Sequence, residues 1–198
     1  MCYTLFVSTL VPVYWWYYGP ANFLWGSDVA LLLGLVGFWL ESSLLVSMMA
    51  VMVVIADSLW VLDFVVRLLF GPESLGFTAG TDYMFIADTP LFVRLFSLFH
   101  AVMPPLLLWS IYRLGYHRRA LMAQILFSWF MLPISYLVSE PEKNINWIYG
   151  FGAEPQQWLP EPLYVLFLMV FFPVALFLPT HLLLRYLVSR WAKGQEAD

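Results

Sequence analysis

Among the polar residues inside the apolar segments of this chain, where an ionisable side chain is costly to bury, five are candidates for chemistry. They are Ser27, Asp28, Asp57, Asp63 and His100. A serine hydroxyl becomes a nucleophile when a base lies within hydrogen-bond reach and an acid orients that base. We therefore predict an intramembrane hydrolase or acyltransferase site, with His100 as base, Ser27 as nucleophile and Asp28 or Asp63 as orienting acid. The sequence around Ser27 is not a Gly-x-Ser-x-Gly elbow.

The same residues also have structural interpretations. Asp63 and Arg67 are four residues apart, so they can form an ion pair on one helix. Asp28 and Asp57 can form hydrogen bonds to neighbouring helices and hold the bundle together. A metal site needs three or more ligands. One intramembrane histidine with carboxylates is a weak ligand set for such a site. We predict neither a metal nor another cofactor.

A second group of polar and aromatic residues occurs in a hydrophilic stretch near residue 145. Amide side chains beside aromatic rings are typical of a shaped, hydrogen-bonded loop rather than a plain linker. By helical rise, Asp28, Asp63 and His100 each lie roughly 10–15 Å below the outer ends of their segments, so this loop would lie above them. We predict substrate-binding roles for Asp57, Asn144, Asn146, Trp147 and Tyr149.

The composition indicates how these residues are positioned. Of 198 residues, 62% are hydrophobic and 11% are charged, and the net charge is −4. No polar block is long enough for a soluble core, so we predict one transmembrane domain over residues 1–198. Its fold class is an all-α, six-span helical bundle. The predicted spans are roughly 3–18, 21–40, 43–70, 90–113, 119–139 and 162–190.

Basic residues predict the orientation of the bundle. They cluster at 113–119 and 185–193, whereas the breaks at 71–89 and 140–161 hold seven acidic residues and Lys143. Because basic loops stay in the cytoplasm, both termini are predicted to be cytoplasmic. The expected location is a bacterial inner membrane. Nothing in the sequence is basic enough for a nucleic-acid partner.

Residues 97–108 (SLFHAVMPPLLL) contain a His-x(4)-Pro pattern, and residues 115–119 (GYHRR) form a basic turn. Both segments resemble those of the androgen-induced/androgen-dependent family of six-helix intramembrane hydrolases. Residues 135–138 (SYLV) and 147–149 (WIY) resemble its aromatic motif before the last helix. Residues 18–25 (YGPANFLW) are also similar to a family of uncharacterised bacterial polytopic membrane proteins.

The resemblance implies cleavage of lipid esters by an intramembrane threonine and histidine. The histidine matches His100, but the threonine position corresponds to Trp25. Ser27 is the nearest hydroxyl, two residues later, which is about 200° around a helix. The alternative function is a non-catalytic lipid-binding or accessory subunit of a larger membrane complex. Membrane lipid is the expected partner in either case, and other membrane subunits in the second.

Overall fold

The computed structural model describes residues 1–74, 79–151 and 154–195. The described part of the chain is all-α, and no strand occurs in it. The omitted residues 75–78 and 152–153 belong to the two long predicted connections. The α-helices are α1 (Cys2–Tyr18), α2 (Gly26–Trp39), α3 (Ser43–Phe70), α4 (Leu91–Phe96), α5 (Phe99–Leu114), α6 (Ala120–Val138), α7 (Glu161–Phe172) and α8 (Leu178–Gln195).

Several of these helices are long and apolar enough to cross a bilayer, which indicates a multi-pass membrane protein. Two of them are α3 (Ser43–Phe70) and α6 (Ala120–Val138). The other two are continuous stretches, Leu91–Leu114, which contains α4 and α5, and Glu161–Lys193, which contains α7 and most of α8. Gly26–Trp39 is a shorter apolar helix. Each predicted apolar stretch is largely helical, with ends near the predicted ones. The count of six membrane crossings stays a prediction.

Helix α3 is the central element of the bundle and packs against α2, α5, α6 and α8. It begins at a serine cap, where the Ser42 hydroxyl accepts the backbone N–H of Leu45 at 3.4 Å. Helix α2 approaches it closely at Gly37, where an added Cβ would lie 3.2 Å from the Leu45 Cβ. This approach aligns α2 beside α3 and brings Ser27 and Asp57 together.

Two of the long apolar stretches change their helical geometry along their length. Helix α4 ends at Phe96, and α5 begins at Phe99 after a turn at Ser97. His100 therefore lies in the first turn of α5. Between α7 and α8, residues Pro173–Phe177 form one π-helical segment, a local widening that often occurs at functional sites.

The two basic clusters lie at the same end of the bundle. The Tyr116 hydroxyl is 2.6 Å from His181 Nδ1, and the Tyr112 and Trp191 rings are 5.6 Å apart. The start of α3 is at this end too, because the backbone N–H of His117 donates to the Ser47 hydroxyl at 2.9 Å. The 19–25, 79–90 and 140–150 connections gather around a cavity lined by residues of all three.

Candidate functional site

A cavity of about 610 Å³ lies under these three connections. Its wall includes Asn22, Tyr83 and Trp147, one residue from each connection. The other wall is apolar and comes mainly from α3, α6 and the π-helical segment, with Phe172 at the end of α7. Of the residues that the sequence singled out, Ser27, Asp28, His100, Asn144, Asn146 and Trp147 line the cavity.

Ser27 and Asp57 form a hydrogen-bonded pair between α2 and α3. The Ser27 hydroxyl donates to Asp57 Oδ1 at 2.7 Å. Asp57 is 1% exposed and lies behind Ser27 rather than on the cavity wall. Among the described residues no hydrogen bond joins Ser27 to His100, so the hydroxyl has a carboxylate as its neighbour instead of the predicted imidazole.

Asp28 lies in the first turn of α2, where the helix dipole stabilises a carboxylate. It is 5% exposed, and its Oδ2 accepts the Asn22 side-chain N–H at 3.3 Å. Its Oδ1 is buried and has no hydrogen-bond partner among the described residues. An acceptor of this kind favours a ligand that brings a donor or a positive charge.

His100 is held between two aromatic rings. Its ring lies 4.3 Å from the Trp60 ring and 4.2 Å from the Phe99 ring, and both pairs are stacked. Its Nδ1 is 2.7 Å from the Ser97 carbonyl oxygen. Because a carbonyl only accepts, Nδ1 carries the proton, and in the neutral ring Nε2 is left as the basic nitrogen. His100 therefore offers a positioned base to the cavity.

Asp63 belongs to a network away from the cavity wall. It is 0% exposed, its Oδ2 lies 3.3 Å from Arg67 Nε, and it accepts the Thr81 hydroxyl. Arg67 also pairs with Asp82. The expected in-helix ion pair is thus present, and it secures the short 3-10 helix Ala79–Met84 to α3. In this position Asp63 does not orient His100, whose Nδ1 faces a backbone carbonyl.

The loop after α6 is attached to the start of α2 by one amide. Asn146 Oδ1 accepts the Gly26 backbone N–H at 3.0 Å, and its Nδ2 donates to the Leu24 carbonyl at 2.8 Å and to Ser135 Oγ at 3.1 Å. Asn146 has a φ of 56°, a left-handed conformation that asparagine tolerates better than most residues. Trp147 follows, and its ring meets Trp25 at 5.5 Å.

The two other predicted loop residues shape the loop from within. Asn144 donates to the Gly150 carbonyl at 2.8 Å and accepts the Tyr149 N–H at 2.9 Å. Tyr149 is 8% exposed and donates to the Ser139 carbonyl at 3.0 Å. Burial, together with Glu161 and Glu142, raises the pKa of its hydroxyl. Tyr149 is therefore a neutral donor that supports the loop and does not line the cavity.

Further cavity residues were missed by the sequence analysis. Tyr14 is 2% exposed, and its hydroxyl forms a hydrogen bond with the Ser97 hydroxyl at 2.7 Å. The Trp60 indole N–H donates to the Gly80 carbonyl at 3.0 Å and so joins His100 to the 79–84 connection. Burial raises the pKa of Tyr83 well above its usual range. No local signal in the sequence distinguishes an aromatic ring that lines a cavity from one that faces lipid.

The arrangement provides a basic nitrogen, two buried carboxylates and a serine hydroxyl beside an apolar wall. Within the described residues, no group of three or more histidine, cysteine or acidic side chains is placed to hold a metal ion. No family model, curated protein or solved structure matches this chain.

Proposed function

We propose that this chain is a multi-pass membrane protein that binds an amphiphilic, lipid-derived molecule in its cavity. The observation that carries the proposal is the two-sided wall of the cavity. Phe127, Met131 and Phe172 supply apolar surface, whereas Asp28 and His100 supply polar atoms. A chain-bearing molecule satisfies both sides at once, with its head near Asp28 and its chain along α6 and α7.

We further propose one transmembrane domain with six spans and both termini in the cytoplasm of a bacterium. The two basic clusters share one end of the bundle, as the positive-inside rule requires of a cytoplasmic face. The cavity connections at the other end carry Asp82, Asp88, Glu140 and Glu142. The cavity would then open towards the outer leaflet of the inner membrane.

Ester hydrolysis or acyl transfer is a second candidate, favoured by the 2.7 Å contact between Ser27 Oγ and Asp57. In that reaction Ser27 Oγ would attack the ester carbonyl as its proton passes to Asp57 or His100. The same group would return the proton to the leaving oxygen as the ester C–O bond breaks and the alcohol departs. Water, or a second alcohol, would then release the acyl group from Ser27. Partial resemblance to the intramembrane hydrolases supports this candidate. A non-catalytic accessory subunit would use the cavity for binding alone.

The binding proposal is tested by the lipid that the protein retains during purification. Wild type and Ala56→Phe are purified in dodecyl maltoside, and bound lipids are quantified by mass spectrometry. Ala56 lines the cavity, so the added ring should displace the ligand and lower the lipid content several-fold. Ala101→Phe is the matched control, because Ala101 is exposed on α5. Equal lipid content in all three proteins would refute the proposal.

The catalytic candidate is tested separately with a fluorophosphonate probe. Labelling that mass spectrometry maps to Ser27, and that Ser27→Ala removes, would establish a serine nucleophile. Absence of labelling in a monodisperse, folded preparation would favour the binding function alone. Stoichiometric co-purification with other membrane proteins would favour the accessory subunit.

A further inference from the structure

We propose that the cavity selects an amphiphile with a cationic headgroup, an alkylammonium or quaternary ammonium, and that Asp28 is its counter-ion. This inference rests on the proposed binding function and names the class of ligand. It is carried by a buried acceptor without a partner and by the aromatic rings that share its cavity.

Asp28 is a buried carboxylate that no described cation neutralises. Its Oδ1 has no hydrogen-bond partner in the described part of the chain, and its Oδ2 has a neutral amide as partner. Neither nearby basic side chain forms a salt bridge with Asp28 in the described part of the chain. Arg94 donates to the Met84 carbonyl at 2.7 Å, and Lys143, at the cavity mouth, pairs with Glu140 at 3.1 Å. A charged ligand would supply the positive charge that burial of a carboxylate demands.

Aromatic rings surround the same space. Tyr14, Tyr18, Trp25, Tyr83 and Trp147 line the cavity together with Asp28. Trp25 and Trp147 meet at an interplanar angle of 80°, and Tyr14 and Tyr18 at 82°. Rings in these orientations offer both faces and edges to one cavity. Aromatic faces attract ammonium groups, and the attraction is strongest for tryptophan and for desolvated cations.

The charges of the cavity also disfavour the opposite headgroup. Asp28, Asp82 and Glu142 line it against Lys143. An anionic headgroup would meet the buried Asp28 carboxylate, and like charges at short range repel strongly. A neutral alcohol would donate one hydrogen bond to Asp28 but would leave its charge uncompensated.

Three probes with one chain length and different heads separate these possibilities. Dodecyltrimethylammonium, dodecanol and dodecanoate are titrated calorimetrically into the protein in dodecyl maltoside, with protein-free micelles as blank. We expect the ammonium to bind at least about tenfold more tightly than the others, as a single added contact of ~1.4 kcal/mol would give. Asp28→Asn should remove this preference, whereas Asp88→Asn, an exposed acid outside the cavity, should retain it.

The wild-type series tests the proposal even if Asp28→Asn fails to fold. Binding of dodecanol or dodecanoate as tight as that of the ammonium would overturn cation selection and leave amphiphile binding intact. Binding of no probe, with equal lipid content in Ala56→Phe and wild type, would overturn both proposals. An ammonium preference that persists in a folded Asp28→Asn protein would overturn the role of Asp28.

Discussion

The Ser27 hydroxyl donates a hydrogen bond to the buried carboxylate of Asp57 across the interface of α2 and α3, at 2.7 Å. This hydrogen bond joins Ser27, which lines the cavity, to Asp57, which lies outside the cavity wall. It fixes the Ser27 rotamer and satisfies one oxygen of a side chain that is 1% exposed. The pair is structural by position, and it also places an acceptor for the serine proton where a nucleophile would need one.

Removing the Ser27 hydroxyl should destabilise the fold. Ser27→Ala leaves the Asp57 carboxylate without this donor, which costs about 1–3 kcal/mol. Urea unfolding in dodecyl maltoside, followed by circular dichroism, measures the loss. Ser58→Ala is the control, because Ser58 is exposed on α3 and donates to the Val54 carbonyl of its own helix. Equal stability of Ser27→Ala and wild type would show that the pair contributes nothing.

Replacing His100 with phenylalanine separates its packing from its chemistry. His100→Phe retains a ring between Trp60 and Phe99 but loses Nε2 and the bond to Ser97. We expect a modest loss of about 0.5–1.5 kcal/mol in the free energy of unfolding. If Ser27 is a nucleophile and His100 is its base, labelling of Ser27 by the fluorophosphonate should disappear. His117→Phe, outside the cavity, is the control. Labelling of His100→Phe at the wild-type rate would show that His100 is not the base.

Neutralising Asp63 should destabilise the protein without affecting ligand selection. Asp63→Asn removes the charge that faces Arg67 and Thr81, and breaking a buried pair costs roughly 3 kcal/mol. The midpoint of thermal unfolding in detergent reports the effect. Asp88→Asn, an exposed substitution, should change the free energy of unfolding by less than about 0.5 kcal/mol. Unchanged stability with lost activity would instead return Asp63 to the site.

Two substitutions at Asn146 distinguish its hydrogen bonds from its backbone conformation. Asn146→Gly removes three side-chain bonds but accepts the φ of 56°. Asn146→Ala removes the same bonds and adds left-handed strain of about 1–2 kcal/mol. Both should lower the unfolding midpoint, and alanine should lower it further. Equal midpoints for the two variants would argue against backbone strain at this residue.

The topology is testable with single cysteines in a Cys2→Ser background. Glu73→Cys and Glu142→Cys should react with a membrane-impermeant maleimide in intact spheroplasts, because their connections are predicted to lie outside. Arg118→Cys and Ala192→Cys should react only after permeabilisation. All four positions are exposed in the structure. Labelling of all four cysteines in intact spheroplasts, or of none of them, would contradict the predicted orientation.

The sequence by itself determined the approximate positions of the helices. Runs of apolar residues, with breaks such as Glu41–Ser43 and Gly115–Arg118, predicted ends close to those of α2, α3, α5 and α6. It also predicted the Asp63–Arg67 pair, because a spacing of four residues is a local property of a helix. The interruption at Ser97 was missed, since hydropathy does not record a tight turn between two apolar helices.

Only the tertiary structure decided which side chains meet. Ser27 pairs with Asp57 across 30 residues, Tyr14 with Ser97 across 83, and Asn146 with Gly26 across 120. These pairings depend on how each helix is rotated and where its neighbours cross it. In a chain that is apolar on every face, no amphipathic stripe marks the inward side of a helix. The partner of each polar residue therefore follows from packing of the whole bundle.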